Sequence, residues 1–151
     1  MPELPEVETI VKGLEEVMKG KVINSIACYY PGTVIYDDNI AAKPLPAKAL
    51  SIKRKGKYII IYLDSAYALI VHLRMTGKFV YDQFPSEPLS YERARINLKN
   101  NSVLHFIDIR TFGKIIICRQ CNIDRYLPTL GLEPFSDDFT TQNLKEKMQG
   151  K

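Results

Sequence analysis

Among the residues that could do chemistry, the pair Pro2-Glu3 at the start of Met1-Pro2-Glu3-Leu4-Pro5-Glu6-Val7-Glu8 comes first. If Met1 is removed, as is usual before a small second residue, the nitrogen of Pro2 is a secondary amine. An α-amino group titrates near pH ~8, so a useful fraction is unprotonated at neutral pH. Such an amine can attack an electrophilic carbon, and the adjacent Glu3 carboxyl can donate or relay a proton. Proline is also welcome in a first helical turn, but Pro5 already fills that place and leaves Pro2 to be explained.

Three further segments hold basic residues beside a glycine: Lys53-Arg54-Lys55-Gly56-Lys57-Tyr58, His72-Leu73-Arg74-Met75-Thr76-Gly77-Lys78 and Asp108-Ile109-Arg110-Thr111-Phe112-Gly113-Lys114. Each falls at an expected strand end, where backbone amides and cations can approach phosphates together. Met75 and Phe112 add apolar groups of the kind that wedge into a base stack. Singly, each signal has a plainer reading: lysines on hairpins are usually solvated, and Met and Phe usually belong to a core. Together, behind Pro2-Glu3, they point to DNA.

The elements that must position these residues are legible in outline. Val7, Ile10, Val11, Leu14, Val17 and Met18 recur at helical spacing from Pro5 to Lys19, with Gly20 placed to end the helix. Glu6 and Glu8 lie where the helix dipole favours carboxylates, and for Glu8 that effect alone is expected. Short strands are expected at Val22–Tyr30, Ser51–Arg54, Lys57–Leu63, Ala68–Leu73, Lys78–Tyr81, Ala94–Leu98, Val103–Asp108 and Lys114–Arg119. Turn residues separate them, and 87–93 reads as a surface loop. Two helices are expected to follow, at Asp124–Leu130 and Asp138–Met148. The fold class is therefore mainly β with flanking α: an antiparallel two-sheet sandwich or pseudo-barrel with an N-terminal helix and C-terminal helices.

Bulk properties agree with one globular domain of 151 residues, 46% hydrophobic and 25% charged, with a net charge of +4. The charge is uneven: Asn39 to Leu63 holds no acid but six Lys and Arg, whereas the first twenty residues hold five Glu against two Lys. That distribution suits a basic face for a polyanion and a separate acidic pocket. No leader or membrane-spanning segment is expected, and three cysteines suggest a reducing, cytoplasmic setting. Cys118-Arg119-Gln120-Cys121 reads as a strand end with two thiols, since a zinc site normally needs four ligands.

PELPEVET at 2–9, KGKY at 55–58, HLRMTGK at 72–78, DIRTFGK at 108–114 and GLEPFSDDF at 131–139 are ordered and spaced as in one family. In these motifs the chain resembles the bacterial formamidopyrimidine-DNA glycosylases. The resemblance implies a bifunctional glycosylase and abasic-site lyase of base-excision repair, acting on double-stranded DNA that contains an oxidised purine or an abasic site. It implies that Pro2 attacks C1′ and forms a Schiff base, that Glu3 protonates or relays, and that Glu6 organises the pocket. It further implies that Lys57 serves near phosphates and in β-elimination, and that His72 binds phosphate. Met75, Arg110 and Phe112 would fill the gap left by the flipped base, and Lys151 would touch DNA. A monomer associated with the bacterial nucleoid is expected, with no cofactor in this chain.

The same resemblance marks departures. A KHxH stretch of the family is replaced by Tyr91-Glu92-Arg93-Ala94-Arg95, and Thr76 stands where some members carry glutamate. The family's helix–two-turn–helix region and four-cysteine zinc finger do not occur in residues 1–151, so an N-terminal domain of little or no activity alone is expected. Endonuclease VIII, the sister enzyme for oxidised pyrimidines, shares the Pro-Glu start, and a non-catalytic DNA-binding module is the reading from another class.

Overall fold

The computed structural model describes residues 4–37, 43–74, 76–85 and 87–127, the side chains of residues 4 and 5 excepted. Helix α1 spans Leu4–Met18. Val7, Val11, Leu14 and Met18 form its buried stripe, and Glu6, Glu8, Lys12 and Glu16 face water. Gly20, at φ 82°, ends it in the left-handed conformation and donates its N–H to the Ala49 carbonyl at 2.7 Å.

Among the described residues nine strands follow: β1 Val22–Cys28, β2 Val34–Tyr36, β3 Ala47–Lys55, β4 Tyr58–Leu63, β5 Tyr67–His72, β6 Lys78–Asp82, β7 Glu92–Leu98, β8 Val103–Ile107 and β9 Lys114–Arg119. They form one hydrogen-bonded order, β2-β9-β5-β4-β3-β1-β7-β8-β6. The expected pair of separate antiparallel sheets is thus replaced by a single mixed sheet. Its two wings join where β1 pairs with β3 through only Val22↔Lys48 and Ile23↔Ala47. β2, absent from the sequence reading, pairs parallel with β9. Its three residues are mostly exposed, and a parallel partner distant in sequence leaves no local turn signal.

Period-two alternation sorts the central strands between two cores. Ile59, Ile61, Leu63, Leu69, Val71, Ile115 and Ile117 join α1 and the β7–β8 wing in the main core. Ile60, Ala68, Ile70 and Cys118 face the other way, against Ile123 and Leu127. Covered on both faces, β5 is buried throughout its length. The cover on that second side is a 3-10 helix, Gln120–Tyr126, standing where the first C-terminal helix was expected to begin. The remainder of that helix and the second one lie outside the described residues. Glu92, expected in a surface loop, opens β7 with its residue 6% exposed. Among the described residues no helix is long and apolar enough to cross a membrane.

Candidate nucleic-acid interface

Cross-strand register brings the dispersed motifs to one end of the sheet. Lys55 pairs with Tyr58, Tyr58 with His72, and His72 with Lys114, a continuous row over β3, β4, β5 and β9. Between Lys55 and Tyr58 the chain reverses in two residues. Gly56, at φ 61°, takes the first central position, which only glycine fills without cost in a II′-type hairpin turn. Lys57 follows it at the tip.

His72 is buried and stacks on Tyr58, with ring centroids 4.5 Å apart. Its Nδ1 has no hydrogen-bond partner among the described residues. Burial, reinforced by the positive charges of Arg74 and Lys57, lowers its pKa to about 4, so the imidazole is neutral at neutral pH. A neutral ring among cations, with an unsatisfied buried nitrogen, can still make one hydrogen bond to an incoming polar group.

Asp108 organises the two glycine loops. It is fully buried, and its Oδ2 accepts the Gly113 N–H at 2.6 Å. Its Oδ1 accepts the Thr76 hydroxyl and, at 3.3 Å, the Arg110 N–H. The carboxylate therefore closes residues 108–113 on itself and fastens them to the 72–78 loop. A side chain at Gly113 would have no room, since a Cβ there would lie 2.6 Å from Phe106 and 2.9 Å from Asp108 Oδ2. Arg74 and Thr111 sit at φ 59° and 62°, conformations that a non-glycine residue, above all a β-branched one, adopts at a cost. On the loop so held, Phe112 is 50% exposed and the Arg110 guanidinium lies 5.2 Å from its ring centre. An exposed aromatic beside an exposed cation is a group that can enter a base stack and meet a base edge.

Helix α1 is tied to the hairpin. Arg54 Nε meets Glu8 Oε1 at 2.6 Å and Arg54 Nη1 donates to the Gly56 carbonyl at 2.9 Å. Glu8 therefore has a specific partner beyond the dipole effect expected for it. Of the residues singled out in the sequence, Lys57, His72, Arg110 and Phe112 gather at this end of the sheet, and Glu6 lies in the first turn of α1. Pro2, Glu3, Met75 and Lys151 lie outside the described residues. Sequence reasoning missed Asp108 as an organiser, although an Asp at a strand end five residues before a glycine is the type of side chain that closes turns on backbone N–H groups.

Cys118 is buried in the second core, where burial raises its pKa to about 12, whereas Cys121 is exposed. Among the described residues no group of three or more His, Cys, Asp or Glu could hold a metal ion.

Comparison with known proteins agrees with this geometry. The family model described as "Formamidopyrimidine-DNA glycosylase N-terminal domain" matches residues 1–115. Among curated proteins, the formamidopyrimidine-DNA glycosylase of Pelotomaculum thermopropionicum is 36% identical over 157 residues, covering 99% of this chain and 55% of that protein. That of Prochlorococcus marinus is 36% identical over 167 residues, covering 95% of this chain and 57% of that protein. The chain thus spans little more than half the length of these relatives. A solved structure of the Lactococcus lactis formamidopyrimidine-DNA glycosylase, non-covalently bound to DNA containing an abasic site, superposes with a TM-score of 0.74 at 30% identity, covering 83% of this chain and 48% of that one. By the family-model match and the shared length with these relatives, the chain belongs to the formamidopyrimidine-DNA glycosylase family, through that family's N-terminal domain.

Proposed function

We propose that this chain is the catalytic N-terminal domain of a bifunctional DNA glycosylase and abasic-site lyase that removes oxidised purines, 8-oxoguanine and formamidopyrimidines, from duplex DNA. The observation that carries the proposal is the meeting of three basic motifs in one cross-strand row, Lys55–Tyr58–His72–Lys114, with the Arg110–Phe112 loop locked beside it by Asp108. In this reading the Pro2 amine attacks C1′ of the damaged nucleotide and displaces the base, Glu3 protonates the sugar oxygen so that the ring C1′–O bond opens to leave the iminium, and Glu6 orders the pocket. The resulting iminium acidifies C2′, so strand scission by elimination follows from base removal. Lys57 serves near the phosphates and as proton donor in that elimination. His72 takes a backbone phosphate, Met75, Arg110 and Phe112 fill the gap in the stack, and Lys151 touches the backbone. The chain works as a monomer in the cytoplasm of a bacterium and by itself excises bases weakly or not at all.

Borohydride trapping on an abasic duplex tests the nucleophile. The mature chain becomes cross-linked to DNA, and a short N-terminal extension, which turns the Pro2 nitrogen into an amide, abolishes the cross-link. Trapping undiminished by the extension overturns the assignment of Pro2. A duplex with thymine glycol, preferred over 8-oxoguanine opposite cytosine, would move the chain to the pyrimidine-specific reading.

A further inference from the structure

The replacement of KHxH by Tyr91-Glu92-Arg93-Ala94-Arg95 leaves two arginines to explain, and the structure treats them differently. Arg95 is committed to Glu92, donating from Nε at 2.9 Å and from Nη2 at 3.1 Å. Arg93 points elsewhere because of a register break. Glu92 pairs with Ile107 and Ala94 with Phe106, so Arg93 is the extra residue of a β-bulge in β7. Bulges re-aim a side chain, and they concentrate beside functional sites. This one turns Arg93 onto the 108–113 loop.

We propose that Arg93 is a positioning residue that holds the loop bearing Arg110 and Phe112, and that it acts on DNA through that loop; the proposal rests on the functional reading above. Its Nε donates to the Asp108 carbonyl at 2.8 Å and its Nη2 to the Ile109 carbonyl at 3.4 Å. The guanidinium carbon lies 5.2 Å from the ring centre of Tyr30 and 5.6 Å from that of Tyr91. The Arg93 carbonyl in turn accepts the N–H groups of Tyr29 and Tyr30. One residue thus joins the end of β1, the approach to β7 and the first two carbonyls of the loop. The Asp108 carboxylate holds the loop from inside through N–H groups, and Arg93 holds it from outside through C=O groups. That double grip accounts for Thr111 persisting at positive φ, where an unsupported threonine would relax. Arginine suits the place better than lysine: its fixed fork reaches two successive carbonyls while the guanidinium stays beside two aromatic rings, whereas a lysine ammonium is a point charge on a flexible stem.

The test uses Arg93→Lys and Arg93→Gln in the full chain, with two readouts. In the free protein, hydrogen exchange at the Arg110 and Gly113 amides, relative to the β8 amides, accelerates about tenfold in both variants. In binding, fluorescent duplexes with and without a tetrahydrofuran abasic analogue are titrated between 50 and 200 mM salt, as in roughly the range where phosphate contacts are resolved. Both variants lose about tenfold of the preference for the abasic duplex, with the salt slope of the unsubstituted chain kept. The rival is a direct phosphate contact: Lys then retains affinity, while Gln weakens both duplexes alike and lowers the slope by about one. That pattern, or unchanged exchange in the loop, overturns the proposal. An unsubstituted chain with no preference for the abasic duplex counts against the functional reading instead, and hydrogen exchange alone then decides the role of Arg93.

Discussion

At the scale of single residues, His72 shows how the site's electrostatics differ from those of an ordinary basic surface. Its ring is removed from water and neighboured by Arg74 and Lys57, and both effects oppose protonation. In the unfolded chain a histidine titrates near pH ~6.5, whereas here it stays neutral down to about 4. Between those values the unfolded chain binds the extra proton, so stability falls as pH drops through this window. Urea unfolding at pH 7 and pH 4 is expected to show His72→Phe, which keeps an aromatic ring against Tyr58, losing less stability than the unsubstituted chain. The difference is at most about 3 kcal/mol, and parallel pH profiles would contradict it. His72 was legible in the sequence, through the family resemblance, as a residue expected to bind phosphate. Its neutrality was not, because that depends on Tyr58 and Lys57 arriving from another strand.

At the scale of elements, β6, β7 and β8 are fastened by a buried polar cluster away from the loops. His105 Nδ1 meets Glu92 Oε2 at 2.7 Å and its Nε2 meets Asp82 Oδ2 at 3.1 Å. Burial by itself would raise the Glu92 carboxyl, but hydrogen bonds from Arg95, His105 and the Leu89 N–H outweigh it and hold the pKa below the usual range. Hydrogen bonding from His105, then from the Phe84 N–H, likewise lowers Asp82. Glu92→Gln removes the charge that Arg95 and His105 share and is expected to destabilise the chain by about 3–5 kcal/mol. A loss under about 1 kcal/mol in chemical denaturation would show that the cluster relaxes without it. Here the sequence was a weaker guide. Alternating Val, Ile and Tyr marked eight of the nine strands among the described residues, and helical spacing marked α1, since each signal is local. The pairing of β1 with β7, the bulge at Arg93 and the burial of Glu92 are long-range outcomes with no local signature.

At the scale of the molecule, the narrow junction between β1 and β3 decides whether the two wings behave as one body. Ile23 sits in it, fully buried, opposite Ala47 on one side and Leu98 on the other. Ile23→Ala is expected to cost about 2–5 kcal/mol and to lower the urea midpoint in a single transition, with the slope unchanged. Two separated transitions would mean that the wings unfold independently. The same strand order carries a consequence for biosynthesis. Ile23 must wait for Leu98 to complete its second side, and Val34 must wait for Ile115 before it finds its sheet neighbour. At about 5–20 residues per second, a ribosome makes that wait several seconds long. Helix α1 is thus made early, while the 108–113 loop is among the last parts of the sheet region to emerge. A nascent chain interrupted before β9 would leave β2 and β5 lacking their shared neighbour, a species exposed to aggregation and to quality control.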